Sequence, residues 1–133
     1  MAAERAEKTE KITVNLGPVD LGQIDLLVDG GFYSNRTDFI RTAVRNLLGA
    51  HADALSSSVA RRTLILGAQH YSRADLEALR DAGRTISVRV LGLATIADDV
   101  SPDLAAATID HVEVLGAFRA SPAVKAALRG RLS

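Results

Sequence analysis

Cysteine and tryptophan are absent from this chain, and aromatic residues make up only 4% of it. Without cysteine there is no disulfide, no thiolate metal site and no thiol nucleophile, and a reducing compartment is compatible with the composition. Net charge is missing too. Sixteen basic residues balance sixteen acidic ones, which argues against bulk coating of a polyanion and leaves sequence-specific recognition open. No run of about 18 apolar residues is present to cross a bilayer. The opening stretch, MAAERAEKTE, is too charged for the apolar centre of a signal peptide. A soluble cytoplasmic protein is expected. The sequence also has no glycine-rich phosphate loop and no nucleophile elbow, so no catalytic residue and no cofactor is assigned and the chain is not read as an enzyme. What it does have is apolar material, 47% of 133 residues, enough for one ordinary domain or two small ones.

The first decapeptide mixes Arg5 and Lys8 with Glu4, Glu7 and Glu10 and reads as a flexible solvated arm over residues 1–10. Lys11 to Leu16 then alternates strictly. On a strand, Ile12, Val14 and Leu16 share one face and Lys11, Thr13 and Asn15 the other. The polar face carries a cation, a hydroxyl with a methyl, and a carboxamide, groups suited to base edges in a DNA major groove. Nothing in the next forty or so residues reads as a partner strand, and a lone strand is unstable. A two-fold dimer resolves this by pairing the strand with its own copy, giving one ribbon of outward side chains.

Leu21, Ile24, Leu27 and Val28 then follow a helical stripe that ends at Gly30-Gly31, with Pro18 near its start. A second helix opens at Asn35, whose cap is completed by Asp38 reaching back to the cap's own N–H. Its wide apolar face comprises Phe39, Ile40, Ala43, Val44, Leu47 and Leu48, with Arg41 and Arg45 off it.

The strand KITVNL, the segment Asp25-Leu26-Leu27, the glycine turn and SNRTDFIRTAVRNLL together resemble the ribbon-helix-helix fold of the MetJ/Arc/CopG-type DNA-binding regulators. The resemblance covers residues 11 to 48, and the domain is drawn at 11–49. It implies a βαα unit forming an intertwined homodimer, with Ile12, Val14, Leu16, Phe39, Ile40, Val44 and Leu47 as its dimer core. It implies that Lys11, Thr13 and Asn15 contact bases of a double-stranded operator, and that Ser34, Asn35, Arg36 and Thr37 grip a backbone phosphate. The physics of a helix N-terminus supports the last assignment. Lys11, Arg36, Arg41 and Arg45 are matched by Asp20, Asp25, Asp29 and Asp38. Affinity is therefore expected to depend on the local placement of charge and on the dimer presenting it twice.

Residues 50–62, with the run Ser56-Ser57-Ser58, read as a linker. From residue 63 to 133 a βα unit occurs three times. Strands at Thr63–Gly67, Val88–Gly92 and Val112–Gly116 end in Leu-Gly pairs, the glycines lying 25 and then 24 residues apart. Each is followed by a loop and a serine cap, Ser72, Ser101 or Ser121, and then a short helix. The whole chain is thus an α/β protein, with a ribbon-helix-helix unit followed by a small βαβαβα repeat domain of solenoid-like kind. The alternative for the second half is a ferredoxin-like sensor domain of the sort appended to nickel-responsive ribbon-helix-helix repressors. His51, His70 and His111 stand singly, so no metal site is assigned. Asp98, Asp99 and Asp103 are read as serving a helix dipole.

These observations point to a dimeric transcriptional repressor, with the C-terminal part providing higher oligomerisation or effector binding and no membrane association. The alternative is the antitoxin of a toxin–antitoxin pair, which represses its own operon and holds a protein partner through its C-terminal half.

Overall fold

The computed structural model describes residues 9–133, so the expected arm lies almost entirely outside the described residues. The chain divides into two compact units, one spanning Thr9–Ser57 and the other containing Ser58–Ser133.

In the first unit, residues 9–17 are assigned to neither helix nor strand. Helix α1 (Pro18–Asp29) begins with Gly17 as its cap and Pro18 in the first turn, where the missing N–H is harmless. It stops in a Schellman turn. The Phe32 N–H donates to the Leu27 carbonyl and the Gly31 N–H to the Val28 carbonyl, both at 3.0 Å, while Gly31 takes a φ of 83° that a side chain would resist. Helix α2 (Arg36–Ala50) is capped by Asn35, whose side chain accepts from the Asp38 N–H at 2.8 Å. The Asp38 carboxylate accepts from the Ser34 N–H at 3.0 Å, one residue earlier than a capping box would have it.

Helix α3 (Ala52–Arg62) contains the whole serine run. Residues 52–62 of the expected linker are therefore helical, and the two units meet within it, between Ser57 and Ser58. Serine is only a middling helix former, but no glycine or proline interrupts the stretch, and Ala, Leu and Arg on either side carry the helix through. Its last residue belongs to the second unit's packing: Arg62 donates from Nε to Glu113 Oε1 at 2.8 Å and its Nη2 is paired with the same oxygen. Arg89 Nη1 lies 3.5 Å from the other Glu113 oxygen. A carboxylate at the buried limit is tolerable only with such partners.

The second unit runs β1 (Ile65–Tyr71), α4 (Arg73–Asp81), β2 (Ile86–Ile96), α5 (Pro102–Thr108), β3 (Ile109–Arg119), α6 (Pro122–Ala127) and a 3₁₀ turn (Arg129–Arg131). The strands form one parallel sheet in the order β1-β2-β3. An all-parallel order excludes the ferredoxin-like alternative, whose split βαβ pattern requires antiparallel pairs. Sequence-adjacent helices pack side by side, α4 on α5 and α5 on α6. Ser72, Ser101 and Ser121 cap the three helices, accepting from Asp75, Leu104 and Val124 at 3.1, 3.1 and 3.2 Å. At Ser72 the box is complete, because Asp75 accepts in return from the Ser72 N–H.

The core lies between the helices and one face of the sheet. Leu76, Val88, Val90, Ala94, Ala105, Ile109, Val124 and Leu128 are fully buried, each large aliphatic contributing roughly 1.5–3 kcal/mol. Arg131 bonds the Ala106 and Ile109 carbonyls and so satisfies acceptors at the end of α5.

The strands do not stop at their Leu-Gly pairs, as expected, but continue four residues beyond Gly67 and Gly92 and three beyond Gly116. Glycine usually punctuates a strand. Here the three glycines stand in register across the sheet. They take φ values of 120°, 139° and 121°, close to a region that only glycine enters readily. A Cβ at Gly92 would lie 2.1 Å from the Gly67 carbonyl oxygen, and one at Gly116 2.2 Å from that of Gly92. The adjacent backbones leave no room for a side chain, so the glycine row is part of the sheet's construction.

Candidate nucleic-acid interface

In the first unit the described residues build a surface with almost no interior. Ile24, 6% exposed, is its one buried hydrophobic residue, and α2 buries none at all. Ile12, Val14, Leu16, Ile40, Val44 and Leu47 are exposed, Val14 by 66% and Leu47 by 64%. Phe39 is half-buried, its ring edge-on to Tyr33 at 5.1 Å between centroids. The seven residues assigned to a dimer core are therefore apolar and, in one chain, largely uncovered.

Lys11, Thr13 and Asn15 all lie exposed on the extended N-terminal segment. A cleft brings Lys11 and Ile12 together with Thr37, Ile40, Arg41, Val44 and Arg45 of α2. An adjoining cleft is lined by Ser34, Asn35, Thr37, Asp38, Arg41 and Arg45. At the start of α2 the N–H groups of Arg36 and Thr37 have no intrahelical acceptor, as in any first turn. Arg41 and Arg45 thus share both clefts with the residues assigned to phosphate. Sequence reasoning placed them only off the apolar face. The spacing Thr37, Arg41, Arg45, four residues apart each time, puts all three on one side of the helix and was the available signal.

Arg36 is occupied differently. Its guanidinium makes a fork onto Asp25 of α1, Nε to Oδ1 at 2.8 Å and Nη2 to Oδ2 at 2.9 Å. The bidentate pair clamps the two helices. That hydrogen bond holds the Asp25 carboxyl below the usual carboxylate range, outweighing an opposing cost of desolvation, with charge attraction to Arg36 adding to it. Because the folded value is depressed, the contribution to stability is complete at neutral pH and is lost as pH falls through the carboxylate range. Both side chains are about half exposed, so the effect is small. Acid titration followed by NMR should show a shallower acid destabilisation of residues 18–50 in Asp25→Asn than in the parent chain. Equal slopes would show that the fork does not hold the helices.

The histidines are dispersed. His70 Nδ1 lies 2.9 Å from Thr95 Oγ1 and His111 Nε2 lies 2.7 Å from Ser133 Oγ, and no cluster of metal-ligating side chains occurs among the described residues. No helix among them is long and apolar enough to cross a membrane.

No curated protein and no solved structure matches the chain. A family pattern does, over residues 7–125. That span takes in the strand-like segment, both capped helices and nearly all of the parallel sheet unit, and by it the chain belongs to the Ribbon-Helix-Helix transcriptional regulator family.

Proposed function

We propose that the protein is a dimeric, sequence-specific DNA-binding repressor whose N-terminal ribbon enters the major groove and whose C-terminal unit links dimers. One observation carries the dimer: α2 buries nothing, while its apolar face and that of residues 12–16 lie open together. Pairing residues 11–16 with the same segment of a second chain would complete the strand's hydrogen bonds and cover both faces. Residues 11–16 are assigned to neither helix nor strand, in keeping with a strand whose mate is a second copy.

Lys11, Thr13 and Asn15 then project from both copies toward base edges. Ser34, Asn35 and Thr37, with the open N–H groups of the first turn, sit on the flanking backbone. Arg41 and Arg45 supply charge beside them, while Arg36 acts first as the clamp on Asp25. Repression would be steric, by dimers occupying a promoter. The repressor reading is preferred to the antitoxin because the C-terminal half has its own closed core, whereas toxin-masking tails commonly order only on binding.

The test is selection of bound duplexes from a random pool by the full chain, followed by sequencing. An enriched site made of two inverted half-sites is expected, mirroring the two-fold axis. Recovery of unselected sequence, or of a site without internal symmetry, would count against the dimeric reader.

A further inference from the structure

We propose that the sheet units of successive chains join head to tail, the outer edge of β1 in one chain pairing parallel with the outer edge of β3 in the next. The proposal deepens the assembly part of the reading above and rests on it.

The glycine row supplies the main argument. Gly92 needs its unusual backbone because the Gly67 carbonyl approaches it, and Gly116 because that of Gly92 does. Gly67 has the same conformation, with a φ of 120°, yet nothing lies within 4 Å of where its Cβ would be. Among the described residues no neighbour presses on that position, and only its own backbone conformation calls for glycine. By the repeat of the ladder, the open side of Gly67 is where another glycine carbonyl would arrive, and the Gly116 carbonyl points away from β2 at the opposite edge. The two edges are complementary to each other, and neither is complementary to itself.

Register agrees. Ile65 pairs with Val90, and Val90 with Val114, so an incoming β1 would begin opposite Val114. Below that point β3 is already covered: Leu132 bridges Val112, and the Ser133 N–H donates to the Val112 carbonyl at 2.9 Å. Leu132 and Ser133 thus lie against β3 just short of the point where the next chain's strand would start. Among the described residues no strand pairs with β1 on its outer side or with β3 beyond Val112.

Edge strands of proteins that stay apart commonly carry a charge or a proline. ILGAQHY in β1 carries neither, and the stretch of β3 it would meet, residues 114–119, carries one charge, Arg119 at the strand's end. Ile65 and Leu66 are 46% and 73% exposed at that edge. A contact of this kind is heterologous, so it propagates as an open array or closes as a ring. With an N-terminal dimer in every chain, each such contact would bring a further DNA reader to neighbouring sites at raised effective concentration.

Cysteine's absence from the chain makes a clean test possible. Ala68 and Ala117 both pair with Leu93, on its two sides. Within one chain they are two strand spacings apart, roughly 9.5 Å, beyond a disulfide's reach of about 7 Å. Between stacked chains they become neighbours. The full-length double variant Ala68→Cys/Ala117→Cys, oxidised with copper phenanthroline in the absence of DNA, should give a ladder of covalent dimers, trimers and larger species on a denaturing gel. A mixture of the two single variants should stop at covalent dimers, and each single variant alone should remain monomeric. A double variant with unchanged circular dichroism that stays monomeric overturns the proposal. Dimerisation of Ala68→Cys alone also overturns it, by showing two-fold pairing of β1 edges. Because no DNA is present, a ladder can form even if pool selection returns no site, so failure of the DNA-reading proposal is distinguished from failure of this one.

Discussion

A single methyl group at position 92 is expected to unfold the C-terminal unit. Gly92→Ala meets two costs. The backbone there has a φ of 139°, and holding an L side chain in that region costs about 1–3 kcal/mol. The new Cβ also falls 2.1 Å from the Gly67 carbonyl oxygen. That oxygen belongs to the backbone of a hydrogen-bonded strand and cannot rotate aside as a side-chain tip could. Relieving the contact means separating β1 from β2, and such overpacking costs about 1–3 kcal/mol or more. The sum approaches the whole stability of a domain this small, on the order of 5–10 kcal/mol. Gly116→Ala should behave alike, with its contact at 2.2 Å. Gly67→Ala meets only the conformational cost in the isolated chain. Gly22→Ala, mid-helix with nothing within 4 Å, should gain up to about 1 kcal/mol. Urea unfolding followed by circular dichroism ranks the four. A Gly92→Ala midpoint close to the parent's would mean that the strands do not approach as described.

The same row shows which parts of the fold were legible in the sequence. Helix starts are local events, so Pro18, Asn35, Ser72, Ser101 and Ser121 could be placed from a few neighbouring residues, and all five stand at helix starts. Strand ends were misplaced because Leu-Gly read locally is a stop. Only the register of three strands distant in sequence reveals that each glycine is there for its neighbour's carbonyl. The βα order, by contrast, was readable from spacing alone.

The candidate site divides in the same way. Alternation over residues 11–16 marks two faces without any structure, and the cap marks the start of α2. The Asp25–Arg36 fork was hidden, since it joins residues eleven apart across a turn. Arg36 was therefore assigned only to a phosphate, and its fork onto Asp25 was not foreseen. Arg41 and Arg45 were the converse: present as a pattern, but given meaning only by the clefts they line. What a strand pairs with cannot be seen in one chain when the partner is a second copy. Residues 11–16, assigned to neither helix nor strand, are the segment that the proposed dimer would pair.

Replacing Lys11, Thr13 and Asn15 together by alanine is expected to abolish selective DNA binding while leaving the protein folded. The three side chains are exposed and lie outside the helices, so their removal opens no cavity. The apolar alternates Ile12, Val14 and Leu16, which the proposed dimer uses, stay in place. Each good base contact is worth about 1–3 kcal/mol of discrimination, and a two-fold ribbon presents every residue twice. Losing even one of the three positions should therefore cost about 2 kcal/mol or more, close to thirtyfold in affinity for the selected site. The triple variant should fall to the level of random DNA. The residual binding should keep its steep dependence on salt, because the phosphate contacts proposed for Ser34, Asn35 and Thr37 and the charges of Arg41 and Arg45 are untouched. The decisive comparison is affinity for the selected duplex against a scrambled one, measured at two salt concentrations for parent and variant. If the triple variant still prefers the selected duplex by the parent's margin, the ribbon is not the reader. If it loses affinity for both duplexes equally, these side chains hold phosphates, and specificity comes from another surface.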